Sequence, residues 1–287
     1  MKNTKTIGYS SAIISVTLMG TLGVFIREIS SNEYIIIFSR FSFGLLFLIF
    51  YLFLKKDIGN IKTAKFSPYL AMTGVLMVIT TLCYINAVNS TSLANAVFLL
   101  YLAPLIAVGI ATVLLKEKFT LLNAGLLCLA LLGILFLLEF NISFNIDESK
   151  GYLWGIGSAI GYALYIVLNR KIPETIPPLT RAFYQFLFGV IVILPFLDTS
   201  LFNVSTKDIY LLIAVGFFHG FLALSLAITA IKNLKTIEYG TISYVEPLVA
   251  TLIGFAFYAE SLTLLQFIGC AIVFCGGMVQ VVATKNG

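Results

Sequence analysis

Residues 101–120 read YLAPLIAVGIATVLLKEKFT, and residues 244–263 read YVEPLVATLIGFAFYAESLT. The second stretch follows the first by 143 positions. Tyr101 maps onto Tyr244, Pro104 onto Pro247, Glu117 onto Glu260 and Thr120 onto Thr263. The same offset carries Gly8-Tyr9 onto Gly151-Tyr152, Ser15 onto Ser158, Arg27 onto Arg170 and Ala87 onto Ala230. Pro, Glu and Arg are scarce in this composition, so one offset that holds from Gly8 to Thr120 marks an internal duplication.

Around these stretches the chain is overwhelmingly apolar. Hydrophobic residues make up 60% of it and charged residues 11%, with a mean hydropathy of +1.02. Soluble globular chains carry about 45–50% apolar and roughly 25% charged residues. The excess comes in runs of about twenty residues, the length that crosses a bilayer core of about 30 Å. Runs bounded by charges predict ten spans, at 8–26, 34–54, 68–89, 92–115, 119–139, 151–169, 180–197, 209–231, 237–259 and 262–282. Lys2 and Lys5 ahead of the first run imitate a signal peptide. No small-x-small cleavage site follows, and the run leads into Arg27 and a second span, so it reads as a retained helix.

Charge tests the span count. With a cytoplasmic N-terminus, the inside connections hold fourteen of the eighteen basic residues, Lys55, Lys56, Lys116, Lys118, Arg170 and Lys171 among them. The outside connections hold only Arg27, Lys150 and Lys207, while Arg40 lies within a span. Such a bias is the positive-inside pattern, and it predicts an inner-membrane protein with both termini cytoplasmic. The net charge of +5 is thereby spent on topology, and no nucleic-acid partner is expected.

Five spans per copy is an odd number, so the two copies must cross the membrane in opposite orientations. The expected fold is an all-α membrane protein of ten helices, a 5+5 inverted repeat around a central cavity. The longest polar connection, Asn141 to Lys150, divides the copies, giving repeats at 1–143 and 144–287. Inverted repeats of this kind are a transporter architecture, with the substrate site near the bilayer midplane.

A span with a proline at mid-depth and a glutamate at its end resembles EamA-type members of the drug/metabolite transporter superfamily. Both copies also close on a small-residue span, LLGILFL at 131–137 and CGGMVQV at 275–281. That resemblance implies a central cavity and alternating-access transport of amino acids or other small metabolites, with exporters well represented.

Several residues are candidates for the site. Pro104 and Pro247 lie deep in spans, where each frees a carbonyl, and read either as packing kinks or as paired hinge and cavity positions. Glu246 is acidic well inside a span, where a charge costs about 2.5–3.5 kcal/mol on insertion scales. It therefore couples protons or contacts a substrate amine, or else makes a structural hydrogen bond nearer an interface. The first copy has Ala103 in its place. Arg40 either snorkels or binds a substrate carboxylate, and Gln185 is read as its neutral counterpart in the second copy. His219, the single histidine, reads as a packed residue or as a cavity-lining proton acceptor. Gly216 and Gly220 beside it form a face that lets helices approach closely. Trp154, Ser158, Tyr162 and Tyr165 follow one helical stripe and, with Tyr101 and Tyr244, could wall an aromatic cavity. Belt or packing roles are the alternative, at Trp154 above all.

The competing classes lack their signatures. There is no H-E-x-x-H, no second histidine and no aspartate inside a span, so metal-dependent catalysis is not expected and no catalytic residue is assigned. Ser39, Ser158 and Ser243 have no identifiable base. A channel would carry a filter or a charged ring. Without a phosphate-binding loop, no nucleotide and no other cofactor is expected. Cys83, Cys128, Cys270 and Cys275 show no metal-ligand spacing and read as reduced apolar residues. The expected partners are a small-molecule substrate and the lipid bilayer, with the protein working as a monomer or homodimer.

Overall fold

The protein is described here by a computed structural model covering residues 2–59, 61, 65–142, 145–258 and 261–285. Among the described residues every regular element is helical. Nine helices are long and apolar enough to cross a membrane: Thr4–Glu28, Glu33–Leu54, Pro68–Ser90, Leu93–Leu114, Ser149–Lys171, Pro178–Phe196, Thr206–Asn233, Thr236–Tyr258 and Leu264–Val282. The apolar helix Leu121–Leu137 stands fifth in order and completes the ten spans. At about 1.5 Å per residue it measures roughly 25 Å. The spans read from the sequence fall on these ten helices. Glu260, which entered the repeat argument, lies outside the described residues, as does Lys62, another of the fourteen basic residues assigned to the inside connections.

Local chemistry sets the helix ends. Asn32, Ser92, Thr120 and Ser205 cap the second, fourth, fifth and eighth spans, each side-chain oxygen accepting a main-chain N–H three residues on. Such caps satisfy donors that the first turn leaves without intrahelical partners. Pro68 and Pro178 open the third and seventh spans, where a missing N–H costs nothing. Lys116 turns through a left-handed φ of 54° just past the fourth span.

Packing follows the duplication, with one exchange. The first span leaves its own repeat and packs on the eighth and ninth, while the sixth packs on the third and fourth. The fifth and tenth spans, which are repeat mates, pack on each other, as do the second and seventh. Large apolar side chains such as Leu121, Phe257 and Leu264 are left exposed on the outside, as lipid contact requires.

Two spans are interrupted at matching places. The fourth is two helices, Leu93–Leu100 and Ala103–Leu114, and the ninth is Thr236–Ser243 and Val245–Tyr258. The breaks fall at Tyr101-Leu102 and at Tyr244. Pro104 and Pro247 therefore sit in the first turn of a new helix, where proline is tolerated, and do not kink a continuous one. In the eighth span, Gly216–Leu224 winds as a π-helix between two α-helical stretches.

Candidate functional site

The break in the ninth span places Glu246 in the opening turn of Val245–Tyr258. Along the span axis this is about 15 Å from Thr236 and about 18 Å from Tyr258, near mid-depth. A helix start carries unpaired N–H groups and the positive end of the helix dipole, which eases a carboxylate there. Among the described residues Glu246 makes no hydrogen bond or ion pair. Its side chain nevertheless stays partly accessible deep inside the protein. It faces internal space.

Tyrosines from four spans surround that carboxylate. Tyr84 of the third span, Tyr101 of the fourth, Tyr162 of the sixth and Tyr239 of the ninth all lie within its electrostatic reach. Tyr84, Tyr101 and Tyr162 are partly accessible as Glu246 is, whereas Tyr239 is buried. The hydroxyls of Tyr162 and Tyr239 share a hydrogen bond of 3.3 Å. Tyr162 also stacks on Tyr165, with ring centroids 6.0 Å apart.

Arg40 brings the opposite charge. It is buried in the second span and interacts electrostatically with Glu246. Its Nε donates to the His219 carbonyl at 3.4 Å, and its Nη2 lies 3.0 Å from Met19 Sδ. The carbonyl belongs to the π-helical turn, a distortion that recurs at functional sites. Gly216 and Gly220 let this turn reach the second span: a Cβ on Gly220 would run into the Arg40 carbonyl. The glycine-faced approach anticipated around His219 is thus realised, and it seats Arg40.

His219 itself is fully buried. Thr21 Oγ1 donates to the Leu18 carbonyl at 2.7 Å, so at 3.0 Å it accepts from Nε2 of His219. With Phe25 against the ring edge at 5.1 Å, the histidine fastens the first span to the eighth.

Four further sequence candidates are placed elsewhere. Trp154 is 45% exposed on the face that also shows Leu153, Ile156 and Ile160, outside the tyrosine cluster. Ser158 is buried and donates to the Gly155 carbonyl of its own helix at 2.7 Å. Gln185 is buried and donates to Asn169 Oδ1 at 2.7 Å, near the Arg181 guanidinium that also serves the Asn169 carbonyl. Tyr244 is fully buried, and its hydroxyl donates to the Tyr101 carbonyl at 2.8 Å. Pro104 and Pro247 lie beside the cluster, at the two breaks. Sequence reasoning missed Tyr84, whose only signal was a tyrosine inside an apolar run, and Tyr239, which stands beside Glu238 at the start of the ninth span.

A separate pocket of about 380 Å³ opens on the face opposite the N-terminus, beside Ser30, Ser31 and Asp208. The Asp208 carboxylate accepts from the Ser30 N–H and the Ser31 hydroxyl. It is satisfied within the protein, tying the first connection to the eighth span. All four cysteines are free.

The EamA-like transporter family matches the chain twice, at residues 6–139 and 149–281. An uncharacterized transporter of Archaeoglobus fulgidus is 28% identical over 274 residues, covering 95% of each chain. The uncharacterized transporter YxxF of Bacillus subtilis is 23% identical over 271 residues, covering 92% of this chain and 86% of its own. One solved crystal structure superposes with a TM-score of 0.84 at 18% identity, covering 99% of this chain and 98% of the other. At that identity it speaks for the fold alone.

Proposed function

The chain belongs to the EamA-like transporter family and is a transporter, and from that premise we propose that its cargo is a small amine-bearing metabolite, an amino acid or amine. One observation carries the reading: Glu246 sits at mid-depth with no partner of its own, among tyrosine rings and within electrostatic reach of Arg40. An unpaired carboxylate at this depth is costly, and an ammonium group would relieve the cost while the ring faces add cation–π attraction. Arg40 supplies the complement for a carboxylate, so a zwitterion spans both charges with no net charge brought into the membrane. Met19 and the His219 carbonyl hold the guanidinium in place beforehand, which lowers the ordering cost of binding.

This reading takes both termini as cytoplasmic, on the positive-inside distribution, and export across the inner membrane as the direction, on the family resemblance. The cycle is alternating access about the cavity, the breaks at Tyr101 and Tyr244 serving as hinges.

The test is counterflow in proteoliposomes. Vesicles preloaded with unlabelled amino acid or amine should accumulate labelled cargo transiently and saturably. Glu246→Gln should lower the rate for amine-bearing cargo at least tenfold. Unchanged counterflow in that variant would overturn the assigned role of Glu246. Unsaturable flux in the parent protein would point to a channel.

A further inference from the structure

The guanidinium of Arg40 has an unequal pair of partners. Its Nε donates to the His219 carbonyl at 3.4 Å, and its Nη2 donates to the sulfur of Met19 at 3.0 Å. Among the described residues these are its hydrogen bonds, and it forms no ion pair. A thioether is a weak acceptor, whereas a charge-assisted bond from a guanidinium to a carboxylate is about twice as strong as a bond between neutral groups. A buried arginine at membrane depth is thus held by one carbonyl of a packed helix and by one sulfur that a carboxylate outbids. Methionine is unbranched and flexible, so its side chain gives up such a contact without moving the main chain.

Met19 also stands between the two charges of the site. The first span is two helices, Lys2–Gly20 and Leu22–Glu28, and Met19 lies in the last turn of the first. Gly20 beside it meets the ninth span, where an added Cβ would come within 2.8 Å of the Glu246 carbonyl oxygen. The same turn therefore reaches Arg40 through a side chain and Glu246 through its backbone. The duplication places Met19 independently. Its mate at the offset of 143 is Tyr162, one of the rings within electrostatic reach of Glu246. Both mates are partly accessible, and an inverted repeat sets its mates about a shared axis through the central site. The sixth span brings an aromatic ring to the carboxylate, and the first brings a sulfur to the guanidinium.

We propose that Met19 is a specificity-determining residue: its thioether keeps the place of a cargo carboxylate oxygen on Arg40 and yields that place when the cargo binds. This rests on the amine-bearing cargo proposed above and sharpens it. A cargo with a carboxylate exchanges a weak N–H···S bond for a strong N–H···O⁻ bond. A plain amine leaves the Arg40–Met19 contact intact and is held by Glu246 and the rings alone. Discrimination between the two then depends on how poor an acceptor residue 19 is. A side chain that accepts more strongly from Nη2 competes with the cargo, and one that does not accept at all leaves the donor waiting for it.

The test is the thermal midpoint of the purified full chain in detergent, titrated with matched pairs that differ by one carboxylate: leucine and isoamylamine, phenylalanine and phenethylamine, lysine and cadaverine. A saturable rise gives a Kd for each member of a pair. In the parent the amino acid should bind about tenfold or more tightly than its amine. Met19→Leu, a volume-conserving change, should raise that preference about fivefold, because Arg40 then offers an unpaired donor. Met19→Gln sets a stronger acceptor in the sulfur's place and should lower the preference about tenfold. A packing role would move both Kd values of a pair together. An unaltered preference in Met19→Leu therefore overturns the proposal, whether or not Met19→Gln folds. So does a parent that binds the amine as tightly as the amino acid, a result that leaves the role of Glu246 standing. No saturable rise from any pair refutes the amine-bearing cargo itself, and the role of Met19 falls with it.

Discussion

Tyr244 donates its phenolic hydrogen to the main-chain carbonyl of Tyr101, its own repeat mate, at 2.8 Å, and the two rings lie 6.0 Å apart. The bond crosses between the halves where the fourth and ninth spans are both interrupted, and it satisfies a carbonyl that the break in the fourth span frees. Mates in the duplication have come to do different work. Tyr101 offers a carbonyl and faces the cluster with its ring, while Tyr244 is fully buried.

Tyr244→Phe keeps the ring and removes the donor, leaving a carbonyl inside the membrane without its partner. A lost hydrogen bond of this kind costs about 1 kcal/mol, and the thermal midpoint in detergent should fall by a few degrees. Tyr101→Phe removes a hydroxyl that plays no part in this bond, so its midpoint should stay within one degree of the parent. Equal losses in the two variants would contradict the assignment of donor and acceptor.

Glu246→Gln should separate stability from function. The carboxylate makes no bond within the protein, so the variant should be at least as stable as the parent, while cargo-induced stabilisation disappears. For the parent, that stabilisation approaches about 2.7 kcal/mol at cargo near one hundred times Kd. A markedly lower midpoint without cargo would mean that Glu246 has a structural role.

Gly220→Ala would place a methyl group against the Arg40 carbonyl. Overpacking of this sort costs about 1–3 kcal/mol, and it should push the second span from the π-helical turn. Both the midpoint and cargo affinity should drop, with affinity falling at least fivefold because Arg40 moves.

Glu148 precedes the sixth span and holds the connection between the third and fourth. The hydroxyl of Thr91 above all, with the Ser92 N–H and the Tyr152 and Asn95 side chains, holds its carboxyl below the usual carboxylate range and outweighs the opposing effect of burial. A depressed folded value contributes stability above the unfolded value, and this is lost as pH falls through the folded one. The loss should therefore lie below about pH 4.5. Thermal midpoints recorded from pH 7 to pH 3 should decline less steeply in Glu148→Gln than in the parent. Parallel curves would remove Glu148 from the acid response.

The span count and the duplication were legible because lipid imposes length and charge rules on every segment, and because Pro104/Pro247 and Arg27/Arg170 survive at one offset. Arg40, Tyr101, Tyr162 and Glu246 were legible as polar or aromatic residues at membrane depth. Trp154 was not, since a helical stripe fixes which residues share a face but not what that face meets. The sixth span is packed on most of its circumference, and its tryptophan lands on the exposed remainder. The π-helical turn left no mark beyond two glycines, because its extra residue per turn is a property of packing against the second span. Gln185 looked like the counterpart of Arg40, but it answers to Asn169 one helix away.

The exchange of the first and sixth spans also bears on how the protein is made. As the chain leaves the ribosome, the third and fourth spans must wait for the sixth before their shared face is covered, and the first must wait for the eighth and ninth. The segment up to residue 143 therefore has no finished structure of its own, although it is one whole copy of the duplication. A gene cut at that boundary should yield two fragments that are degraded when expressed singly. Expressed together they should rebuild the protein, because each holds the span that completes its sibling.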